Sequence, residues 1–207
     1  MTHESWIQQA ESFDNWYSDD TFESRVPYFG KRIQGYMVER LNKALLFSAP
    51  SEGKTILDLG CGTGRFAVAA AVRGATVHAY DIASEVLAIG ESQAHQAGVS
   101  ERCHFHETDI TKIDFPAADV WLDLGCLQYI QDIQPVLQKL KHVPAFYSVL
   151  PRRNHWMHPI RLFYRTYLKG NPYYTYSDAE LHKLFNAYPE VHIQHHGLVK
   201  YITSAPV

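Results

Sequence analysis

Ile56-Leu57-Asp58-Leu59-Gly60-Cys61-Gly62-Thr63-Gly64-Arg65 is the stretch whose reading decides the fold. Its apolar opening predicts a buried strand over 55–59. The three alternate glycines predict a sharp bend, and the alanine-rich run after them predicts a helix over 65–73 closed by Gly74. Strand, bend and helix in that order expose bare backbone at a strand's carboxyl end, where a nucleotide-like ligand can come closer than a Cβ would allow. A dinucleotide site wants GxGxxG, with a small third residue so that the helix can pack against the strand. Here Arg65 takes that place and the glycines fall at 60, 62 and 64. Asp58 ahead of the bend would repel a pyrophosphate and attract a cationic amine.

Downstream, short apolar runs alternate with helical ones. Strands are expected over 76–80, 103–106, 119–124 and 145–150. Ser84 is expected to cap a helix reaching 97 with Gly98 behind it, and Asp132 and Pro135 to open another. A helix over 159–168 follows, then a Ser177/Glu180 capping box for a helix to 188, and two strands within 191–202. Upstream, Tyr28, Phe29, Ile33, Tyr36, Met37, Arg40, Leu41 and Leu45 recur at near-helical spacing and predict a long amphipathic helix ending before Pro50. A looser helical segment with Trp6, Ile7, Phe13, Trp16 and Tyr17 precedes it. Strands alternating with helices imply a parallel, doubly wound sheet that binds ligands at the carboxyl ends of its strands.

The chain has 207 residues, room for one α/β domain with modest appendages, and its 46% hydrophobic and 20% charged residues are globular proportions. Nineteen basic against twenty-two acidic residues give a formal charge of −3, so no nucleic-acid partner is expected. Cys61, Cys103 and Cys126 lack paired spacing and read as free thiols. The twelve histidines show no HExxH or finger arrangement, so no metal site is expected. The longest apolar run, 66–72, falls far short of the ~20 residues that span a bilayer, and the polar start lacks a signal-peptide core. A cytoplasmic monomer or homodimer without a membrane partner is expected.

The motif DLGCGTG resembles the first motif of class I S-adenosylmethionine (SAM)-dependent methyltransferases. The resemblance implies that Gly60, Cys61, Gly62 and Gly64 hold the methionine end of SAM, with Asp58 ordering the site around the amino group. Asp81, ending Val77-His78-Ala79-Tyr80-Asp81-Ile82, matches the family's ribose-binding acidic residue, and a carboxylate suits a vicinal diol because it accepts in two directions. Asp109 matches the acidic residue near the adenine amino group, with Ile82 and Ile110 as apolar contacts. The segment from Asp119 to Ile130 has the shape of the fourth motif and places Leu124 beside the cofactor. The likeness covers roughly residues 54–150. It implies a Rossmann-like, doubly wound and mostly parallel seven-stranded sheet with an antiparallel last strand. Residues 1–50 would form a helical cap, from which Tyr17 closes the cofactor pocket, and 51–207 the SAM-binding domain. Asp81 as a mere helix cap, Asp109 as a solvated loop carboxylate and Asp123 paired with a neighbouring helix are the plainer alternatives.

In such a fold the acceptor lies over strands four and five, covered by the cap and by the segment 151–176. That segment is basic and aromatic and has no acidic residue, which suits a small anionic acceptor with aromatic or apolar character. Tyr28, Arg152, Trp156, Arg161 and Arg165 are the candidate contacts. His155 and His158 are candidate bases because imidazole titrates near working pH, and Tyr129 could orient the acceptor. Asn171-Pro172-Tyr173-Tyr174 resembles the motif of amino methyltransferases but follows strand five, where that motif does not operate. The N-terminal helices and Leu150-Pro151-Arg152 resemble magnesium-protoporphyrin methyltransferases, which methylate a carboxylate. A nicotinamide-dependent oxidoreductase and a SAM-binding module without turnover are the competing readings.

Overall fold

The computed structural model describes residues 29–163 and 173–206. Within them the chain runs α1 (Phe29–Ser48), β1 (Thr55–Leu59), α2 (Arg65–Val72), β2 (Thr76–Asp81), α3 (Ser84–Gln96), β3 (Cys103–Glu107), β4 (Val120–Asp123), α4 (Gln134–Leu140), β5 (Ala145–Pro151), α5 (His158–Phe163), α6 (Asp178–Leu184), β6 (His192–His196) and β7 (Val199–Thr203). Seven strands form one sheet in the order β3-β2-β1-β4-β5-β7-β6. β1 to β5 pair in parallel, and β7 inserts antiparallel to both β5 and β6. This is the expected doubly wound sheet with its reversed last strand. The reversal separates it from the all-parallel 3-2-1-4-5-6 order of dinucleotide-binding folds.

Parallel strands covered on both faces must be apolar on both, which is why the central strands read as continuous hydrophobic runs. On one face Leu57, Trp121, Phe146 and Leu150 pack with Leu137 and Leu140 of α4 and with Phe185 and Tyr188. The Tyr188 hydroxyl accepts from Trp121 Nε1 at 2.7 Å and donates to the Leu140 carbonyl at 3.0 Å, so a buried phenol is paired on both sides. On the other face Ile56, Val77, Leu122, Tyr147 and Val149 meet Phe66, Ala67 and Ala70 of α2 and Ala44 of α1. The small side chains let both helices lie close to the sheet.

Several boundaries differ from the sequence reading. Ser84 is the first helical residue of α3, not its cap; Ala83 holds that place, and its N–H is met by Asp81 Oδ1 at 3.1 Å. β4 ends at Asp123 because Asp123 turns its own carboxylate onto the following backbone, so Leu124 lies beyond the strand. α6 begins at the expected capping box and stops at Leu184, four residues early. α5 ends its described course at Phe163, and the rest of the expected helix lies outside the described residues.

Candidate functional site

At the carboxyl end of β1 the glycine bend is latched to β2. Gly60 and Cys61 both donate their N–H to the Tyr80 carbonyl, at 2.8 and 2.9 Å, and Gly62 donates to Asp81 Oδ2 at 2.9 Å. The three glycines, all at positive φ, differ in what surrounds them. A Cβ on Gly60 would stand 2.3 Å from Cys126 Cβ, and one on Gly64 would stand 2.6 Å from the Phe105 ring, so these two are packed against neighbouring structure. Gly62, with φ of 54°, faces open space. It is the position where a bound group can lie against bare backbone.

Three carboxylates surround this bend. Asp58 is 2% exposed, and burial pushes its pKa from 3.8 to about 7, reinforced by the charges of Asp81 and Asp123 and opposed by Arg40. A carboxyl held half-ionised for want of compensation suits a cationic ligand. Asp81 accepts from Gly62 on one oxygen and from Ala83 on the other. It therefore ties the loop to the turn that leads into α3, and each oxygen keeps one lone-pair direction for a further donor. Burial raises its pKa while those backbone N–H groups lower it. Asp123 is spent on structure. Its Oδ1 accepts from Gly125, Cys126 and Leu127 at 2.9, 2.6 and 3.2 Å, and its Oδ2 accepts from the Ser148 hydroxyl at 2.7 Å. It knits the turn after β4 to β5 instead of pairing with a helix, an arrangement an aspartate inside an apolar strand signals only as some buried role.

The third-strand candidates separate. Thr108 N donates to the Asp81 carbonyl at 2.8 Å, which brings this loop to the site. Asp109, however, binds Thr111 N and Oγ1 at 3.0 and 2.7 Å and Lys112 Nζ at 3.2 Å, and these contacts, led by the Thr111 hydroxyl, lower its pKa. Ile110 is buried in the core with Tyr80 and Phe115. Ile82 is 52% exposed directly after Asp81. Leu124 packs half-buried against the α1/α2 face.

Over β4 and β5 the structure adds a residue that sequence reasoning placed only among helix-face positions. The point where a Cβ on Gly125 would stand lies 3.3 Å from Arg40 Nη1 and 3.2 Å from Gln128 Nε2. Its signal was an arginine on the otherwise apolar stripe of α1. Tyr129 closes a single 3-10 turn, its N–H donating to Cys126 O at 2.9 Å. Tyr174 N donates to Gln128 O at 2.8 Å, tying the end of the basic segment to that same turn.

The remaining candidates are less gathered. His155 Nδ1 accepts from Met157 N at 3.2 Å, which leaves the ring proton on Nε2 in the neutral form and weakens the case for this residue as a base. The His158 ring lies 6.3 Å from that of Tyr173. Arg152 follows β5 with its N–H on Leu198 O, Arg153 pairs with Glu180 at 3.3 Å, and Trp156 is 76% exposed. Arg161 belongs to α5. Tyr17, Tyr28 and Arg165 lie outside the described residues, as does the Arg161 side chain. His78 and His106 approach at 3.2 Å between Nδ1 and Nε2, with the His106 ring stacked on Tyr80 at 4.8 Å, while His195 meets Asp178 at 3.0 Å.

Comparison with known proteins bears on the family and the fold. The family model described as a methyltransferase domain matches residues 50–189. A Geobacillus protein described as a methyltransferase is 26% identical over 182 residues, covering 86% of this chain and 68% of the relative. The ubiquinone biosynthesis O-methyltransferase of Vibrio atlanticus is 26% identical over 162 residues; the match covers 78% of this chain and 63%, under two thirds, of that relative. Among solved structures, the magnesium protoporphyrin IX methyltransferase of Synechocystis PCC 6803 with bound S-adenosylhomocysteine (SAH) superposes with a TM-score of 0.72 at 14% identity, over 95% of this chain and 93% of that one.

Proposed function

The chain belongs to the methyltransferase domain family and is a class I, SAM-dependent methyltransferase; from that premise we propose that it moves a methyl group to an O or N atom of a small anionic metabolite with aromatic or apolar character. When bound, SAM supplies a methyl group on a positively charged sulfur, already activated for displacement. The residues at the bend fit such a cofactor. Asp58 offers its under-compensated charge to the ammonium, Gly62 its bare backbone to the amino-acid tail, Asp81 its remaining lone pairs to the ribose hydroxyls, and Ile82 an apolar wall to the adenine.

The protein's own contribution to transfer is alignment and exclusion of water, an effect worth up to roughly 7–11 kcal/mol in well-oriented systems. The observation that carries the anionic acceptor is the division of charge across the sheet. Carboxylates cluster over β1, β2 and β4, while Arg40 stands over the end of β4, Arg152 follows β5, and the sequence from 151 to 176 contains no acid. An acceptor oxygen that arrives ionised has no proton to lose, so neither His155 nor His158 need serve as a base. Residues 1–50 are proposed as the cap and 51–207 as the cofactor domain. Among the described residues no helix is long and apolar enough to cross a membrane. The test is incubation with isotopically labelled SAM and a panel of small acids, alcohols and amines. Label transfer confined to anionic acceptors supports the reading; transfer only to cationic or neutral amines refutes the anionic part, and absence of SAH binding refutes the whole.

A further inference from the structure

The sheet register places Tyr147 beside Leu122 and Leu122 beside Asp58. Tyr147 thus shares a row and a face with Asp58, two strands and roughly 10 Å away. Among the described residues its buried hydroxyl has no hydrogen-bond partner, and the same holds for Tyr201, whose ring centroid lies 5.7 Å from that of Tyr147. Both rings are at most 2% exposed. An unsatisfied buried hydroxyl costs about 1–3 kcal/mol, so a pair of them points to a missing acceptor or water. Arg40 lies close enough for its charge to act on both phenols as well as on Asp58. Its guanidinium stands over bare Gly125 beside Gln128, whose Nε2 gives one hydrogen to Gly125 O at 2.7 Å and keeps a second. Arg40, Gln128 and the Tyr147 hydroxyl are donors on this side, Arg40 Nη2 also donating to Met37 Sδ at 3.1 Å, and the carboxylate that shares the face with them is Asp58. Glu39, the acid nearby on α1, is engaged with Lys43 and His196, both at 3.2 Å.

We propose that Arg40, with Gln128 beside it and the Tyr147 hydroxyl below, forms the subsite that holds a carboxylate of the methyl acceptor. The proposal rests on the methyltransferase reading above and assigns its anion recognition to α1 instead of the segment after β5. A guanidinium presents paired N–H groups to a carboxylate, and the phenol adds a donor from beneath. Where the carboxylate is itself the acceptor, one of its oxygen lone pairs forms the new O–C bond, the C–S pair returns to sulfur, and no proton is released. One positive and one negative charge are annihilated in that step. Arg40 is then a positioning residue whose removal weakens the binding of anions selectively.

The experiment uses the full chain saturated with SAH and titrated calorimetrically with benzoate and with its neutral isostere benzamide. Benzoate is expected to bind at least ten-fold more tightly. The preference should vanish in Arg40→Gln, survive in part in Arg40→Lys, persist in Arg152→Gln, and fall several-fold in Tyr147→Phe with benzamide binding unchanged. Equal binding of the two probes by the wild type, a preference surviving in Arg40→Gln, or its loss in Arg152→Gln alone overturns the proposal. Failure of SAH to bind strikes the methyltransferase reading instead. Circular dichroism checks folding, and if Arg40→Gln does not fold, the wild-type probe preference and Arg152→Gln still decide.

Discussion

Replacing Asp58 by asparagine separates what this carboxylate costs the fold from what it does for the ligand. Its pKa stands at about 7 in the folded protein against 3.8 ordinarily. The folded state therefore binds the proton more tightly than the unfolded one. The stability this group contributes is present in full below about pH 3.8 and is lost as pH rises through about 7. A displacement of about three pH units corresponds to about 4 kcal/mol of destabilisation once Asp58 is ionised. Asparagine removes the charge and keeps the shape. The variant should be more stable than the wild type, with an advantage about 2–3 kcal/mol larger at pH 8 than at pH 5, because part of the wild-type penalty is already present at the lower pH. Urea unfolding of both proteins at several pH values measures the difference, and titration acting equally on both cancels. The same substitution should weaken SAH binding by about 1.5–3 kcal/mol, the scale of a hydrogen bond to a charged group. Wild-type affinity for SAH should rise with pH up to about 7, the pKa of Asp58, and that rise should be absent from the variant. A stability difference that does not change with pH would refute the claim that Asp58 is buried with too little counter-charge.

Asp81→Ala should weaken SAH binding by roughly 1.5–3 kcal/mol, and unchanged affinity in calorimetry would remove the ribose assignment. Gly62→Ala and Gly64→Ala should part company. The first adds only the left-handed backbone cost of about 1–2 kcal/mol but fills ligand space, so SAH affinity falls further than thermal stability; the second drives a Cβ to 2.6 Å from Phe105 and lowers stability more. Asp123→Ala strands three backbone N–H groups and the Ser148 hydroxyl, and a loss of about 3 kcal/mol or more in denaturant unfolding is expected. His155→Ala and His158→Ala should leave methyl transfer to a carboxylate acceptor within a few-fold of wild type, and a collapse of kcat in either would restore a base to the mechanism.

The alternation of strands and helices was legible because buried parallel strands and amphipathic helices write different periods into sequence, and β1 and α6 begin where those periods and their caps place them, whereas the reversed last strand came from the family resemblance alone. The bend was legible through its glycines, though not which of them are packed and which is open. Gly60 and Gly64 are fixed by Cys126 and Phe105, residues about 40–65 positions away, and no local pattern reports such contacts. Asp109 and Ile110 occupied the expected loop, yet the hydrogen bonds to Thr111 and the packing on Phe115 that claim them depend on how the loop closes. Arg40 was visible only as an irregularity in an apolar stripe. Its bearing on the site depends on α1 crossing β4 and β5, a tertiary fact that helical spacing does not encode.

The cysteines beside the bend connect these electrostatics to the chemistry. Cys61 and Cys126 are both held well above the ordinary thiol pKa, first by burial and then by the surrounding aspartates. A thiolate is the nucleophilic form, and a thiolate facing an activated methyl group would consume it. The carboxylates proposed to hold the cationic cofactor also keep these neighbours protonated, so on that proposal one charge arrangement would both bind the donor and protect it. Neutralising that arrangement should therefore expose the thiols to chemistry: Asp58→Asn should react with iodoacetamide at Cys61 faster than wild type at pH 8, as measured by mass spectrometry of the peptide. An equal or slower rate, with the two proteins equally folded, would show that burial alone silences the thiol and that the aspartates have no protective part.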